Sequence, residues 1–385
     1  TFTYDRTFAR RHTLNLLAGF TAERSDIDYS YFYGEGYMDD NVTYKNLGGL
    51  LDERNTTNRS YENIKTSMSF LARVNYDYMK KYYLTLTMRA DGASNFADNR
   101  KWGVFPAAAF RWNISRENFL AGVSWIDDLS IRASAGRSGN DAIGTYMSRS
   151  ILTSDKGVWM LGDYRPAAYY DTRLSNGNLT WETTDSYNVG LNFSAFGERL
   201  NLEVDAYQSK TSDLLKTNQS TGYDTYFTNM GSTRNRGVEI SLTTRNIVSR
   251  KFSWSTMLTV SHNAQLVLDA GEDRLVPTYS NFRNTTQPLY GYRAGYPVNS
   301  LWGYQYAGVW HSQDEIDRNK ISRTYVSSGT EQLGICRYVD QNNDGLLDQD
   351  DLVYQGNADP VAYGGFQNSF TIGNLSLKVY ATWSL

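Results

Sequence analysis

From Tyr187 to Tyr207 the chain reads YNVGLNFSAFGERLNLEVDAY. Tyr187, Val189, Leu191 and Phe193 interleave with Asn188, Gly190, Asn192 and Ser194; after Phe196 to Glu198, Leu200, Leu202, Val204 and Ala206 interleave with Asn201, Glu203, Asp205 and Tyr207. A strand sends successive side chains to opposite faces, so each run has one apolar and one polar face, and the few residues between them predict a hairpin. The same alternation recurs at Leu14, Leu16, Ala18 and Phe20; at Met68, Phe70, Ala72, Val74 and Tyr76; at Tyr82, Leu84, Leu86 and Met88; at Phe252, Trp254, Thr256, Leu258 and Val260; and at Leu375, Leu377, Val379, Ala381 and Trp383. Working outward predicts twelve strands, at roughly 1–8, 12–23, 63–78, 82–91, 103–114, 128–137, 185–195, 199–210, 235–245, 251–262, 362–372 and 375–385.

The connections between these strands alternate in length. Short ones fall at Ala9 to Arg11, Met79 to Lys81, Phe196 to Glu198, Asn246 to Arg250 and Gly373-Asn374, and one of intermediate length at about 115–127 joins them by parity. Long ones, rich in Gly, Asn, Ser and Thr, cover about 24–62, 92–102, 138–184, 211–234 and 263–361. A large soluble β-sandwich needs no such parity. A transmembrane β-barrel does, with short periplasmic turns and long extracellular loops. About ten residues at ~3.3 Å each, tilted, cover the ~25 Å apolar band of such a barrel. Tyr76, Tyr78, Tyr82, Tyr83, Phe193 and Phe196 sit beside the short turns, where an aromatic girdle belongs. Loops this long imply folded caps, the largest with strands of its own.

Composition agrees with a barrel. Mean hydropathy is negative, yet 14% of the 385 residues are aromatic, with 30 Tyr. No run of about 20 apolar residues marks a membrane helix. A barrel hides its lipid face in alternate positions, although a Tyr-rich glycan-binding protein would have the same totals. The 38 basic and 41 acidic residues are well mixed, which argues against nucleic acid. Cys336 alone cannot form an intrachain disulfide or a cysteine zinc site, and His12, His262 and His311 are too scattered for a histidine metal site. Neither a catalytic triad nor a phosphate loop is spelled out, so no enzyme is expected. The first residues, TFTYDRTFARRH, and the last, LSLKVYATWSL, both read as strand, which predicts a piece of a larger protein.

One segment carries metal chemistry. Counted as a twelve-residue calcium loop, Asp340 to Asp351 puts oxygen donors at Asp340, Asn342, Asp344, Asp348 and Asp351, the Leu346 carbonyl at the seventh place and Gly345 at the sharp turn. The closing residue is Asp, not the longer Glu, and strand-like sequence flanks the loop, so it is read as a lone Ca2+ loop. An Asx-rich turn capping itself by hydrogen bonds is the alternative. Loop aromatics Trp159, Tyr164, Tyr169, Tyr170, Tyr223, Tyr226, Tyr292, Trp302 and Trp310 could stack on sugar rings or pack the loops themselves.

Several segments resemble the SusC/RagA type of TonB-dependent outer-membrane transporter. They are Arg89 to Phe96 (RADGASNF) with Trp102 to Ala107 (WGVFPA); Ser134 to Gly144 (SAGRSGNDAIG); Leu179 to Thr183 (LTWET), Asn188 to Leu191, Tyr207 and Thr211 to Leu215 (TSDLL); Asn229-Met230-Gly231 with Asn235 to Glu239 (NRGVE); and Gly295 to Val298 with Trp302 to Tyr304 and Gly308-Val309. In this reading Asp91-Gly92 closes a tight turn, and Trp102 and Phe105 restart the strand as an interfacial aromatic pair. Ala93 stands where the family usually has Ser. The motifs, in order and in register with the strands, cover most of the chain after residue 60. The family often carries an acidic loop like Asp340–Asp351 in this place.

The resemblance implies an all-β, antiparallel transmembrane barrel, with residues 1–385 supplying about twelve of 22 strands and the plug and closing strands outside this sequence. It implies a Gram-negative outer-membrane protein, surrounded by membrane lipid, that imports oligosaccharides or peptides. A SusD-like surface lipoprotein would dock on the long loops, and TonB would act through the missing plug. Arg73, Asn75, Asp77, Thr85, Thr87, Arg89, Glu203 and Asp205 would line the path. Two other readings remain: a siderophore- or cobalamin-type TonB-dependent receptor, and a secreted, calcium-stabilised glycan-binding adhesin.

Overall fold

The computed structural model describes residues 1–35, 56–155, 168–218, 226–271, 274–280, 285–319, 322–323 and 333–385. All twelve expected strands are present: β1 (Phe2–Phe8), β2 (His12–Gly34), β3 (Thr56–Tyr78), β4 (Tyr82–Ala93), β5 (Trp102–Asn113), β6 (Ile126–Asn140), β7 (Glu182–Ala195), β8 (Leu200–Ser212), β9 (Ser232–Val248), β10 (Phe252–Asp269), β11 (Tyr363–Ile372) and β12 (Leu375–Ser384). They form one antiparallel sheet in chain order, each strand bonded to its sequence neighbours.

The register lines up the two faces. One row runs Asp5, Asn15, Asn75, Thr85, Ala109, Ser134, Asn188, Tyr207, Gly237, Asn263. Side chains hydrogen-bond along it: Asn15 to Asp5, Asn75 Nδ2 to Asn15 Oδ1 at 3.1 Å, Thr85 Oγ1 to Asn75 Oδ1 at 2.9 Å and Tyr207 OH to Asn263 Oδ1 at 3.0 Å. The next row, on the other face, is Leu14, Tyr76, Leu84, Phe110, Ala133, Val189, Ala206, Val238. A polar lumen face backed by an apolar lipid face is the pattern of a membrane barrel.

The short turns lie at one end. Ala9-Arg10 and Met79-Lys80 take left-handed backbone with φ from 47° to 56°, closed by Arg11 N–H on Phe8 O and Lys81 N–H on Tyr78 O, each 3.0 Å. Two successive left-handed residues make the turn whose twist suits a hairpin. Neither has the Gly or Asn that would have announced it. The intermediate connection after β5 holds two short 3₁₀ turns, Ile114–Arg116 and Asn118–Leu120.

At the opposite end the strands run further than their alternation suggested; on β2 the residues above the apolar band keep the period but swap the faces. β2 and β3 stay paired from His12↔Tyr78 to Gly34↔Thr56. The long connections carry strands of their own. Residues 151–155 pair with 168–173, and 215–218 with 226–229. Between β10 and β11, a four-stranded sheet (274–280, 285–292, 300–304, 352–357) stands with a short helix, Gln313–Asn319.

Two local readings need correction. Asp91-Gly92 is extended and paired with Gly103 and Trp102, so it closes no turn; the missing side chain of Gly92 makes room for the Trp102 ring, 3.0 Å from where a Cβ would stand. Trp102 and Phe105 lie on opposite faces of β5. Trp102 is exposed on the lipid face, while Phe105 is buried on the lumen side.

Candidate functional site

The lumen face is lined by charge held in place by opposite charge. The register puts Arg73 opposite Thr87 and Asn75 opposite Thr85, and Asp77, Arg89, Glu203 and Asp205 share that face by alternation. Arg132 on β6 bonds Glu203 at 2.6 Å and also Asp205, both on β8, passing over Gly190 of the strand between. Near the long-loop end a polar recess of ≈ 560 Å³ opens among Glu23, Lys65, Ser67, Arg89, Asp91 and Trp181. Lys65 pairs with Asp141 at 2.9 Å and Arg89 with Asp91 at 2.8 Å.

Directly above this recess β2 reverses its polarity, while the same face of β3 keeps Lys65, Asn63 and Arg59 around Tyr61. Thr21, Glu23 and Ser25 give way, on the same face, to Ile27, Tyr29, Tyr31 and Tyr33, while the lipid-side positions change from Phe20 and Ala22 to Arg24, Asp26, Asp28 and Ser30. Tyr29 stacks on its cross-strand partner Tyr61 (centroids 4.7 Å, planes 18° apart) and lies parallel to Tyr31 at 6.5 Å. All three rings are at least 40% exposed. The aromatic face therefore points over the barrel mouth. The list of loop aromatics drawn from sequence omits these residues, although the sequence reading placed them in the 24–62 connection; they belong to strands, and their signal was apolar residues at odd positions after Ser25, against even positions before it.

The motif segments meet in one cluster beside the recess. Phe96, Phe105, Leu179 and Trp181 are buried together with Ala93 and Ile143. Trp181 lies 4.9 Å from Phe96 and 5.3 Å from Phe105, and its Nε1–H donates to Lys101 O at 3.0 Å. Asn95, fully buried, donates to the carbonyls of Asp141 and Ile143. Asn229 accepts from Thr180 N–H at 2.8 Å and donates to Thr180 O at 2.7 Å, and to Asp213 O at 3.0 Å. Side-chain amides thus pair backbone groups that loops would otherwise bury unsatisfied.

Of the expected stacking aromatics, Tyr170 is exposed on the 168–173 strand and Tyr226 is half-buried on the 226–229 strand. Trp302 and Trp310 are only 5% and 2% exposed and form loop core. Trp302 packs against Tyr296 at 4.8 Å under the Arg293 guanidinium at 4.6 Å, and Arg337 covers Trp310 at 5.5 Å. Trp159, Tyr164 and Tyr223 lie outside the described residues.

In the Asp340–Asp351 loop the oxygen donors turn onto the loop's own amides. Asp340 accepts from Asn343 and Gly345 N–H at 2.6 and 2.9 Å, Asn342 from Asp344 N–H at 3.0 Å, Asp344 from Leu346 N–H at 2.7 Å and Asp348 from Asp350 N–H at 2.9 Å. Asp351, fully buried, takes Gln341 N–H at 2.7 Å and Asp348 N–H at 2.8 Å. Among the described residues no three His, Cys, Asp or Glu side chains converge on a metal position.

At the short-turn end, Glu117 accepts from Tyr82 OH at 2.6 Å, Lys81 Nζ at 2.9 Å and Trp112 Nε1 at 3.1 Å. These three donors, Tyr82 foremost, lower its carboxyl from 4.5 to about 2.

The family model described as TonB dependent receptor-like, beta-barrel matches residues 1–385. TonB-dependent receptor P26 of Formosa agariphila is 32% identical over 387 residues, covering 99% of this chain and 38% of that protein. TonB-dependent receptor SusC of Bacteroides thetaiotaomicron is 30% identical over 346 residues, covering 83% of this chain and 32% of that protein. The chain thus spans under two-fifths of the length of these curated relatives. Among solved structures, the RagAB peptide transporter superposes with a TM-score of 0.78 at 22% identity, over 99% of this chain and 39% of that one, a likeness of fold.

Proposed function

Since this chain belongs to the TonB-dependent receptor-like β-barrel family and is a Gram-negative outer-membrane barrel of the SusC/RagA type, we propose that it forms part of the wall and mouth of a TonB-energised importer of oligosaccharides or peptides, closed from outside by a SusD-like lipoprotein. The observation that carries this reading is the reversed polarity of β2, whose Tyr29 stacks on Tyr61 of β3. An aromatic face over the mouth, above a recess of paired charges, lets a ligand exchange stacking contacts outside for hydrogen bonds inside. Tyr170 and Tyr226 are further candidate contacts at the mouth. The long loops are the surface offered to the lipoprotein. SusC is a TonB-dependent receptor by name, and the RagAB peptide transporter shares the fold; both support the reading.

The test uses the full-length protein in its own cells. Tyr29→Ala/Tyr31→Ala/Tyr61→Ala should cut uptake of the cognate glycan or peptide about tenfold or more, at ~0.5–1.5 kcal/mol per lost stacking surface, while heat-modifiable mobility shows an intact barrel. Uptake equal to wild type would defeat it. Uptake that persists without TonB would defeat the energised part, and growth dependence on a siderophore or cobalamin alone would favour that other receptor class.

We also propose that the Asp340–Asp351 loop takes Ca2+, on the strength of its donor spacing. Asp340, Asn342, Asp344, Asp348, Asp351 and the Leu346 carbonyl would hold the ion. Since the carboxylates must leave amides to do so, affinity should be in the range of extracellular modules, on the order of 10⁻⁴–10⁻³ M.

A further inference from the structure

Charge on the lipid-facing side of the sheet is sorted by sector. Going up β6 to β9 from the short turns, the outward positions are apolar and then basic. On β6 Ala133 and Ala135 lead to Arg137; on β7 Val189 and Tyr187 to Asp185; on β8 Ala206 and Gln208 to Lys210; on β9 Val238 to Arg236 and Arg234. The register aligns Arg137, Asp185, Lys210 and Arg234 in a single row, with Arg236 one step below, opposite Gln208. Four cations face one acid. At the matching border of β2 and β3 the outward charges are Arg24 against Asp26, Asp28 and Glu62, the opposite balance.

Only one of the four cations is engaged. Arg137 grips Asp185 through two bonds of 2.7 and 2.9 Å. Lys210, Arg234 and Arg236 make no side-chain hydrogen bond or ion pair among the described residues. Beside this row, an apolar concavity of ≈ 580 Å³ opens on the lipid face, walled by Val74, Leu86, Met88 and Tyr187 over a floor of Ala108 and Ala135, and Arg137 and Asp185 stand at its rim. Neighbouring strands are ~4.8 Å apart, so Lys210 and Arg234 lie about 5 and 10 Å along the row from that rim.

We propose that this sector is a binding site for a multiply acylated lipid of the outer leaflet whose head group carries phosphate. An acyl chain fills the alanine-floored concavity, and the phosphate lies on Lys210, Arg234 and Arg236, with Arg137 held in place by Asp185. The membrane supplies the chemistry: an arginine row immediately above an apolar band meets head groups, and guanidinium binds phosphate in bidentate fashion. An acidic row, as on β2–β3, would repel the same lipid.

Native mass spectrometry of the full-length protein in detergent tests the site. With added bis-phosphorylated lipid A, the wild type should retain bound lipid, and Lys210→Gln/Arg234→Gln/Arg236→Gln should retain about a hundredfold less. Ala108→Phe, which fills the concavity and leaves the cations, should also lower retention. Heat-modifiable mobility identifies variants whose barrel is intact. Retention by the triple variant equal to wild type would overturn the proposal. So would equal retention of phosphatidylcholine, or complete displacement by millimolar inorganic phosphate, which would mark a site for a free anion.

Discussion

Arg132 and Asp205 form an ion pair across a whole intervening strand, because the residue between them, Gly190, has no side chain. A Cβ on Gly190 would stand 2.2 Å from Arg132 Nε and 2.7 Å from Asp205 Oδ1. The same device recurs at Gly237, where the Tyr207 ring crosses toward Asn263. Gly190→Val should therefore break the Arg132 pair. A double-mutant cycle on Arg132 and Asp205 should give a coupling of about 0.2–1 kcal/mol in the wild type, as for a partly exposed pair, and none on the Gly190→Val background. Melting of the refolded barrel in detergent reads both.

Acid should act on the short-turn end through Glu117. Its carboxyl is lowered from 4.5 to about 2 in the folded protein, so its contribution is present in full above pH 4.5 and fades as pH falls toward 2. The melting-point gap between wild type and Glu117→Gln should be constant from pH 7 to 5 and shrink below. A gap that grows on acidification would contradict the arrangement.

Removing Trp181 should unpack the loop cluster without unfolding the sheet. Trp181→Ala deletes contacts with Phe96 and Phe105 and the bond to Lys101 O. A buried Trp of this kind is worth about 3–5 kcal/mol. Hydrogen exchange at 94–101 and 176–181 should accelerate, while β4 and β5 keep their protection.

Asp351→Ala should strip two partly buried amides, Gln341 and Asp348, of their acceptor. Each unsatisfied group costs about 1–3 kcal/mol, and limited proteolysis should then cut within 340–351. Calcium at millimolar level should raise the wild-type melting point and protect the loop, and Asp344→Asn should weaken that effect. A melting point that ignores both calcium and chelator would leave the loop to its amides alone.

The twelve-stranded sheet was legible because lipid and lumen impose opposite chemistry on alternate residues, as at Leu200 to Tyr207. Legibility failed where that solvent pairing ends. Beyond Ser25 the faces exchange roles, so β2 seemed to stop although its ladder to β3 continues to Gly34. The turns at Ala9-Arg10 and Met79-Lys80 carry no glycine because flanking hairpins enforce their shape. Trp302 looked like an exposed platform because the small sheet that buries it is built from segments some fifty residues apart, Ser300–Tyr304 and Leu352–Asn357, and Trp310 because Ile335 and Arg337 reach it from a distant segment. The gathering of Asn95, Thr180, Trp181 and Asn229 could be recognised as motif but not as one cluster.

The chain-order sheet also sets a kinetic problem, greatest at one place. The hairpins with short turns can zip locally, whereas β10 and β11, the most widely separated neighbours, have residues 270–362 between them. Closing so long a loop costs about 3 kcal/mol more entropy than closing a tight turn. The small sheet inside it shortens the path: Val267 exchanges hydrogen bonds with Gly295 and Tyr296, and Ala358 N–H bonds Asn299 O at 3.0 Å. Once that sheet has formed, the start of β11 is delivered close to the end of β10, so this cap should order before the final two strands join, acting as a scaffold for barrel assembly.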